Sequence, residues 1–118
     1  IQEYLLQQLE LPYQVVQIST GDMGKPDYRQ IDMETWMPGQ NSHRETHTSD
    51  YMTSYQALRL QTKVKRTSGE TEYVHMNDAT AFALGRTIIA IMENYQQADG
   101  RIKVPKVLQP LMGKEIIG

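Results

Sequence analysis

The chain has 118 residues, with 12 basic and 14 acidic side chains, a formal charge of −2 and no cysteine. That length suffices for one domain with a real core but not two, and the near balance of charge gives no basic excess to make nucleic acid the primary partner of this segment. No stretch reaches the roughly eighteen apolar residues of a membrane span, no secretory signal opens the chain, and the lack of cysteine removes disulfides, thiolate metal sites and thiol nucleophiles while fitting a reducing cytosol.

The first residue is Ile1 rather than Met, and Ile1, Tyr4, Leu5 and Leu9 recur at helical spacing. The chain is therefore expected to start inside a helix over roughly residues 1–10, as a piece of a longer protein or a processed or trimmed form. Leu11-Pro12 ends that helix, because proline disfavours helix in the residue before it. Tyr13 to Ser19 reads as a strand with Val15, Val16 and Ile18, and Thr20 to Asp27 as a loop by composition. Tyr28 to Met37 alternates, with Ile31, Met33, Thr35 and Met37 on one face and Asp32, Glu34 and Trp36 on the other. The acidic face, Asp32 and Glu34, is either solvated or lines a cleft.

Beyond the Pro38-Gly39 turn, His43 to Ser49 is a polar strand candidate. Thr53 to Thr62 reads as a helix capped by Thr53 or Ser54. Lys63 to Arg66 and Glu72 to Met76 form a hairpin around Ser68-Gly69. A helix from about 79 to 96 follows, ended near Asp99-Gly100, and the tail from Ile102 to Gly118 packs over the surface. Hairpin-linked strands broken by helices, without regular βαβ alternation, indicate an α+β fold with an antiparallel sheet.

Three places can carry chemistry. The helix Ala81-Phe82-Ala83-Leu84-Gly85-Arg86-Thr87-Ile88-Ile89-Ala90-Ile91-Met92 is apolar nearly all round, which predicts burial. Arg86 within it cannot shed its charge, so it needs an anion. The candidates are a carboxylate of the fold, such as Glu93 or Asp78, and a ligand such as a phosphate. Glu93 lies two turns on, too far for a direct helix pair. In the strand His43-Arg44-Glu45-Thr46-His47-Thr48, alternation puts His43, Glu45 and His47 on one face, an acceptable zinc or iron set. Glu45 and Thr48 could instead offer hard oxygens to magnesium, given a bulge or bend near His47. Asp78-Ala79-Thr80 reads as a helix cap, and a helix start with a polar lip also suits a small polar ligand.

Several segments together resemble the seryl-tRNA synthetases. They are Thr20-Gly21-Asp22-Met23-Gly24, Asp32-Met33-Glu34-Thr35-Trp36-Met37-Pro38-Gly39-Gln40, Arg44-Glu45, Tyr55-Gln56-Ala57, Val74-His75, Gly85-Arg86-Thr87, and Glu93-Asn94-Tyr95-Gln96-Gln97-Ala98-Asp99-Gly100-Arg101-Ile102 leading into Val104-Pro105. The resemblance covers essentially residues 1–118 and corresponds to the C-terminal half of a class II catalytic domain. It implies an antiparallel sheet flanked by helices. It also implies a cytoplasmic enzyme without membrane association, a homodimer at full length, that converts L-serine and ATP to seryl-adenylate and then charges tRNA(Ser). Arg86 falls on the arginine of the third class II motif, which binds the ATP γ-phosphate. Glu45 falls on the glutamate at the ATP phosphates and Mg2+, and Thr48 on a metal-contacting serine. Thr46 and His47 lie between them in the same ATP-binding segment. Thr80 falls on the hydroxyl residue that binds serine.

The departures are specific. Asp78 replaces the asparagine usual in bacterial members, adding a negative charge beside the serine pocket. Leu58-Arg59 replaces two adjacent arginines, and His47 stands where some members carry a small residue. Motif 1, motif 2 and the tRNA-binding N-terminal coiled coil are absent from this sequence. The resemblance thus implies half of an adenylation site, which should not catalyse alone. The rival readings are a non-catalytic, synthetase-derived binding module and a metalloprotein built on His43, Glu45 and His47.

Overall fold

The computed structural model describes residues 1–118. Its strands are β1 (Tyr13–Gln17), β2 (Arg29–Met37), β3 (Ser42–Tyr51), β4 (Lys63–Lys65), β5 (Thr71–Tyr73), β6 (Asn77–Ala79), β7 (Ile102–Lys103) and β8 (Ile116–Ile117). Its helices are α1 (Gln2–Gln8), α2 (Tyr55–Leu60), α3 (Leu84–Tyr95) and α4 (Gln109–Met112). The main sheet is ordered β1-β2-β3-β6, and β4–β5 and β7–β8 are separate antiparallel pairs. The α+β expectation therefore holds. Contacts group the chain into two compact units, Ile1–Val15, Met33–His47 and Ala81–Gly118 on one hand and Val16–Asp32 and Thr48–Thr80 on the other. Strands β2 and β3, of 9 and 10 residues, each contribute residues to both units.

In the first unit, α1 stops before the proline acts. Glu10 turns left-handed at φ 53, its N–H bonds to the Gln7 carbonyl, and the Leu11 N–H reaches back to Leu6. This is the Schellman arrangement, with Leu6 and Leu11 as its apolar pair. Both are buried, together with Leu9, Met33, Met37, Ala90 and Val104. Met33, Thr35 and Met37 fill the core face of β2 that strand alternation predicts. Asn94 of α3 donates to the Trp36 carbonyl, and the Tyr95 hydroxyl to that of Leu9. The tail is ordered by β7–β8 pairing and by a bond from the Val104 N–H to Glu115.

In the second unit, α2 follows Ser54, which makes no side-chain cap bond. The β4–β5 hairpin forms as predicted, with Gly69 at φ 91, a conformation that glycine adopts without steric penalty. Met52 and Ala57 are buried. So is Asp32, whose two carboxylate oxygens accept from the Gln30 amide. The acidic face of β2 is thus partly interior.

Two expectations about the helix region are corrected. Helix α3 begins at Leu84 rather than near 79, because Asn77–Ala79 pairs as a strand with β3 in the register Ser49↔Ala79, Asp50↔Asp78, Tyr51↔Asn77. Backbone groups that find a sheet partner have no need of helical ones. Asp78 is therefore a strand residue and not a helix cap; the N-cap is Ala83, without a side-chain bond. Nor is α3 buried all round. Only Thr87 and Ala90 are buried, while Leu84 is 72% exposed and Ile88 53%. A helix apolar on every side needs neighbours on every side, and within these residues it has them on one.

Candidate active site

Arg86 and Glu45 meet. The Arg86 Nη1 lies 3.1 Å from the Glu45 Oε1 and donates to the Glu45 carbonyl at 3.0 Å. The arginine's anion within the fold is therefore Glu45, not Glu93 or Asp78. Arg86 is half-exposed rather than buried, at 55% for its side chain against 42% for Glu45. The premise of a desolvated guanidinium fails because α3 itself is partly open. Both side chains line a cavity of about 410 Å³ with Met37, Gln40, Arg44 and Ile89. Two guanidinium groups and one carboxylate leave a net positive lining, which suits a multiply charged anion.

Thr46 and His47 are fully buried and do not line this cavity. The Thr46 hydroxyl sits 2.7 Å from that of Thr35 and 2.9 Å from the His47 Nδ1, and it donates to the Met33 carbonyl at 3.2 Å. Burial lowers the His47 pKa, with a bond to the Ala81 backbone acting the other way. The ring is thus neutral at neutral pH and packs 5.3 Å from Phe82 between centroids. These side chains brace the strand that carries Glu45. Replacing Thr46 by valine keeps shape but strips partners from Thr35 and His47, at a cost of roughly 1–3 kcal/mol. In urea unfolding, Thr46→Val with Thr35→Val should then lose less than the two single losses summed.

The zinc or iron set does not assemble. His43 packs on Trp36 at 5.1 Å between ring centroids, His47 is in the core, and Glu45 faces Arg86. No group of three or more His, Asp or Glu side chains is placed to hold a metal. The magnesium reading asks for less, since that ion is commonly held by one or two carboxylates with water and substrate phosphates. The half-exposed Glu45 carboxylate at the cavity is a hard oxygen donor of that kind.

Thr48, Asp78 and Thr80 belong to the second unit. The Thr48 hydroxyl donates to Asp50 at 3.0 Å, and Asp78 stands opposite Asp50 across the β3–β6 pair. Burial pushes the Asp50 pKa up; the Thr48 hydroxyl lowers it, and the charges of Asp27, Asp32 and Asp78 raise it further. A raised carboxyl pKa means the folded state holds the proton more tightly. Asp50's favourable contribution is therefore present in acid and lost as pH rises through its folded value. At neutral pH the facing charges oppose folding. Asp78→Asn should raise stability there by roughly 0.2–1 kcal/mol, with the gain vanishing in acid. Thermal melts of both proteins across the acidic to neutral range check this. Thr80 follows β6 directly and is exposed.

Sequence reasoning missed the cavity residues Gln40 and Arg44. Arg44 adjoins Glu45 in β3, where alternation assigns neighbours to opposite faces, so no local signal brings both to one cavity.

Residues 2–95 match the tRNA synthetase class II core domain (G, H, P, S and T). The chain belongs to that family. Among its relatives, a serine–tRNA ligase of Dictyoglomus thermophilum is 50% identical over 113 residues, covering 96% of this chain and 27% of that protein. The seryl-tRNA synthetase of Pyrococcus horikoshii, solved with ATP, superposes with a TM-score of 0.93 at 44% identity over 98% of this chain and 26% of its own. The cytoplasmic serine–tRNA ligase of Naegleria fowleri, solved with AMP, gives 0.88 at 39% identity over 98% and 27%. The chain thus spans about a quarter of the length of these relatives.

Proposed function

We propose that this chain is the C-terminal portion of the catalytic domain of a serine–tRNA ligase. The full-length enzyme, a cytoplasmic homodimer, joins L-serine to ATP as seryl-adenylate with release of pyrophosphate and then transfers serine to tRNA(Ser). The observation that carries the reading is the Arg86–Glu45 pair at one positively lined cavity. The exposed apolar face of α3 also supports a segment that belongs to a larger domain.

In this reading the serine carboxylate attacks the α-phosphorus, and the protein positions reactants and neutralises charge. Arg86 takes the γ-phosphate through the donors it does not give to Glu45. By the family resemblance, Glu45 and Thr48 are the residues that would hold Mg2+, which would supply charge neutralisation along the phosphates. Thr46 and His47 support this ATP-binding segment from the core. Thr80 bonds the substrate serine, and a site built around such a bond rejects analogues lacking the partner group. Asp78 lies in the same segment, and its charge distinguishes this chain at the serine side.

The test is ATP–pyrophosphate exchange by the full-length protein. Exchange that requires serine and is not supported by alanine is the expected result, with none from residues 1–118 alone. ATP binding by the full-length protein without exchange on any amino acid would instead indicate a non-catalytic module.

A further inference from the structure

Arg44 is the second cation of the cavity, and its surroundings are built. Its Nε donates to the Gln40 Oε1 at 2.9 Å. The Gln40 amide nitrogen in turn lies 3.5 Å from the Glu93 Oε1, while the Glu93 Oε2 accepts the Gly39 N–H at 2.8 Å. Glu93 therefore grips the Pro38–Gln40 turn by one oxygen and sets the direction of the Gln40 amide by the other. The approach is close enough that a Cβ at Gly39 would sit 3.2 Å from the carboxylate. With the Gln40 nitrogen facing Glu93, its carbonyl oxygen faces Arg44. Arg86, by contrast, uses Nη1 for both of its bonds to Glu45. The terminal N–H groups of Arg44 have no protein acceptor, and a guanidinium fork with free parallel donors matches phosphate oxygens.

We infer that Arg44 is a second phosphate-binding residue of this cavity and that Glu93, acting through Gln40, is the positioning residue that aims it. This rests on the ATP reading above. It assigns Arg44 to the β- and γ-phosphates, because it shares the cavity with Arg86. It also makes the Glu93–Gln40 contact a device for orientation rather than a source of charge. Lysine cannot replace Arg44, since one ammonium does not bond Gln40 and still present a fork to phosphate.

The experiment is calorimetric titration of the full-length protein with ATP–Mg2+ and with AMP, which lacks the two outer phosphates. Arg44→Gln should raise the ATP Kd about tenfold and leave the AMP Kd within about twofold. Glu93→Gln should raise the ATP Kd about threefold with AMP again unchanged, and should add nothing in the Arg44→Gln background. Gln40→Ala provides the same cycle if Glu93→Gln does not fold. Arg44→Gln without effect on ATP, where Arg86→Ala weakens it, would overturn the inference and leave the ATP reading standing. Equal losses for ATP and AMP would also overturn it, as a general packing effect. Additivity of Glu93→Gln on Arg44→Gln would remove the positioning role. If neither Arg86→Ala nor Arg44→Gln changes ATP affinity, the ATP reading itself fails.

Discussion

Arg86→Ala in the full-length enzyme should lower serine-dependent ATP–pyrophosphate exchange by roughly 10²–10³-fold, the loss typical of removing one preorganised donor to developing charge. Two effects act together. On the proposed ATP reading the phosphate would lose a guanidinium, and Glu45 would be left in the cavity without its 3.1 Å partner, where its charge would repel that phosphate. Stability should hardly change. Both side chains are half-exposed, and a pair in contact with water contributes about 0–1 kcal/mol to folding. The prediction is therefore a large kinetic loss at nearly constant Tm. Exchange within threefold of the parent enzyme would remove Arg86 from the chemistry, and a Tm that collapsed with activity would make the pair structural.

Leu6→Ala should have the opposite signature. Leu6 is completely buried, lies on the core side of α1, and closes the helix end against Leu11 through the bond from the Leu11 N–H. Truncation removes three carbons from a packed site and weakens the contact that holds Glu10 in its left-handed conformation. The cost is about 2–5 kcal/mol, a large part of the roughly 5–15 kcal/mol that keeps a domain folded. Urea unfolding should show a much lower midpoint. In any fraction that remains folded, ATP affinity should be close to that of the parent, because Leu6 does not line the cavity. A stability loss of less than about 1 kcal/mol would mean that the site collapses around the cavity it leaves.

The two variants separate what local sequence can reveal from what it cannot. The amphipathic start of the chain, the alternating face of β2 and the hairpin around Gly69 are periodic or turn-specific features, written in neighbouring residues. The helix, strand and hairpin form where their patterns predict, although Ile1 and Tyr4 stay exposed and Leu6 is the buried residue of α1. Arg86 and Glu45 are legible as charged residues that need partners, and the resemblance to seryl-tRNA synthetases marks both. Their meeting is a contact across 41 positions that no periodicity specifies.

Residues 77–79 show the converse. Ahead of a strongly apolar run they read as a helix start, yet Asp78 lies opposite Asp50 in a sheet, because pairing with β3 satisfies their backbone groups. Arg44 shows it again, since it reaches the cavity of Glu45 against strand alternation, aimed by a glutamine in a turn and a glutamate on α3.

Outside residues 77–79 and the tail, the sequence by itself determined the element types, the core face of β2 and, through its motifs, the family. The tertiary structure decided that Arg86 is paired by Glu45 and half-open to a cavity, that Thr46 and His47 turn inward, and that α3 keeps an uncovered apolar side. Hydrophobic period and turn chemistry act between residues a few positions apart. The partner of a charge and the cover of a helix depend on segments far apart in the chain, which only the folded arrangement brings together.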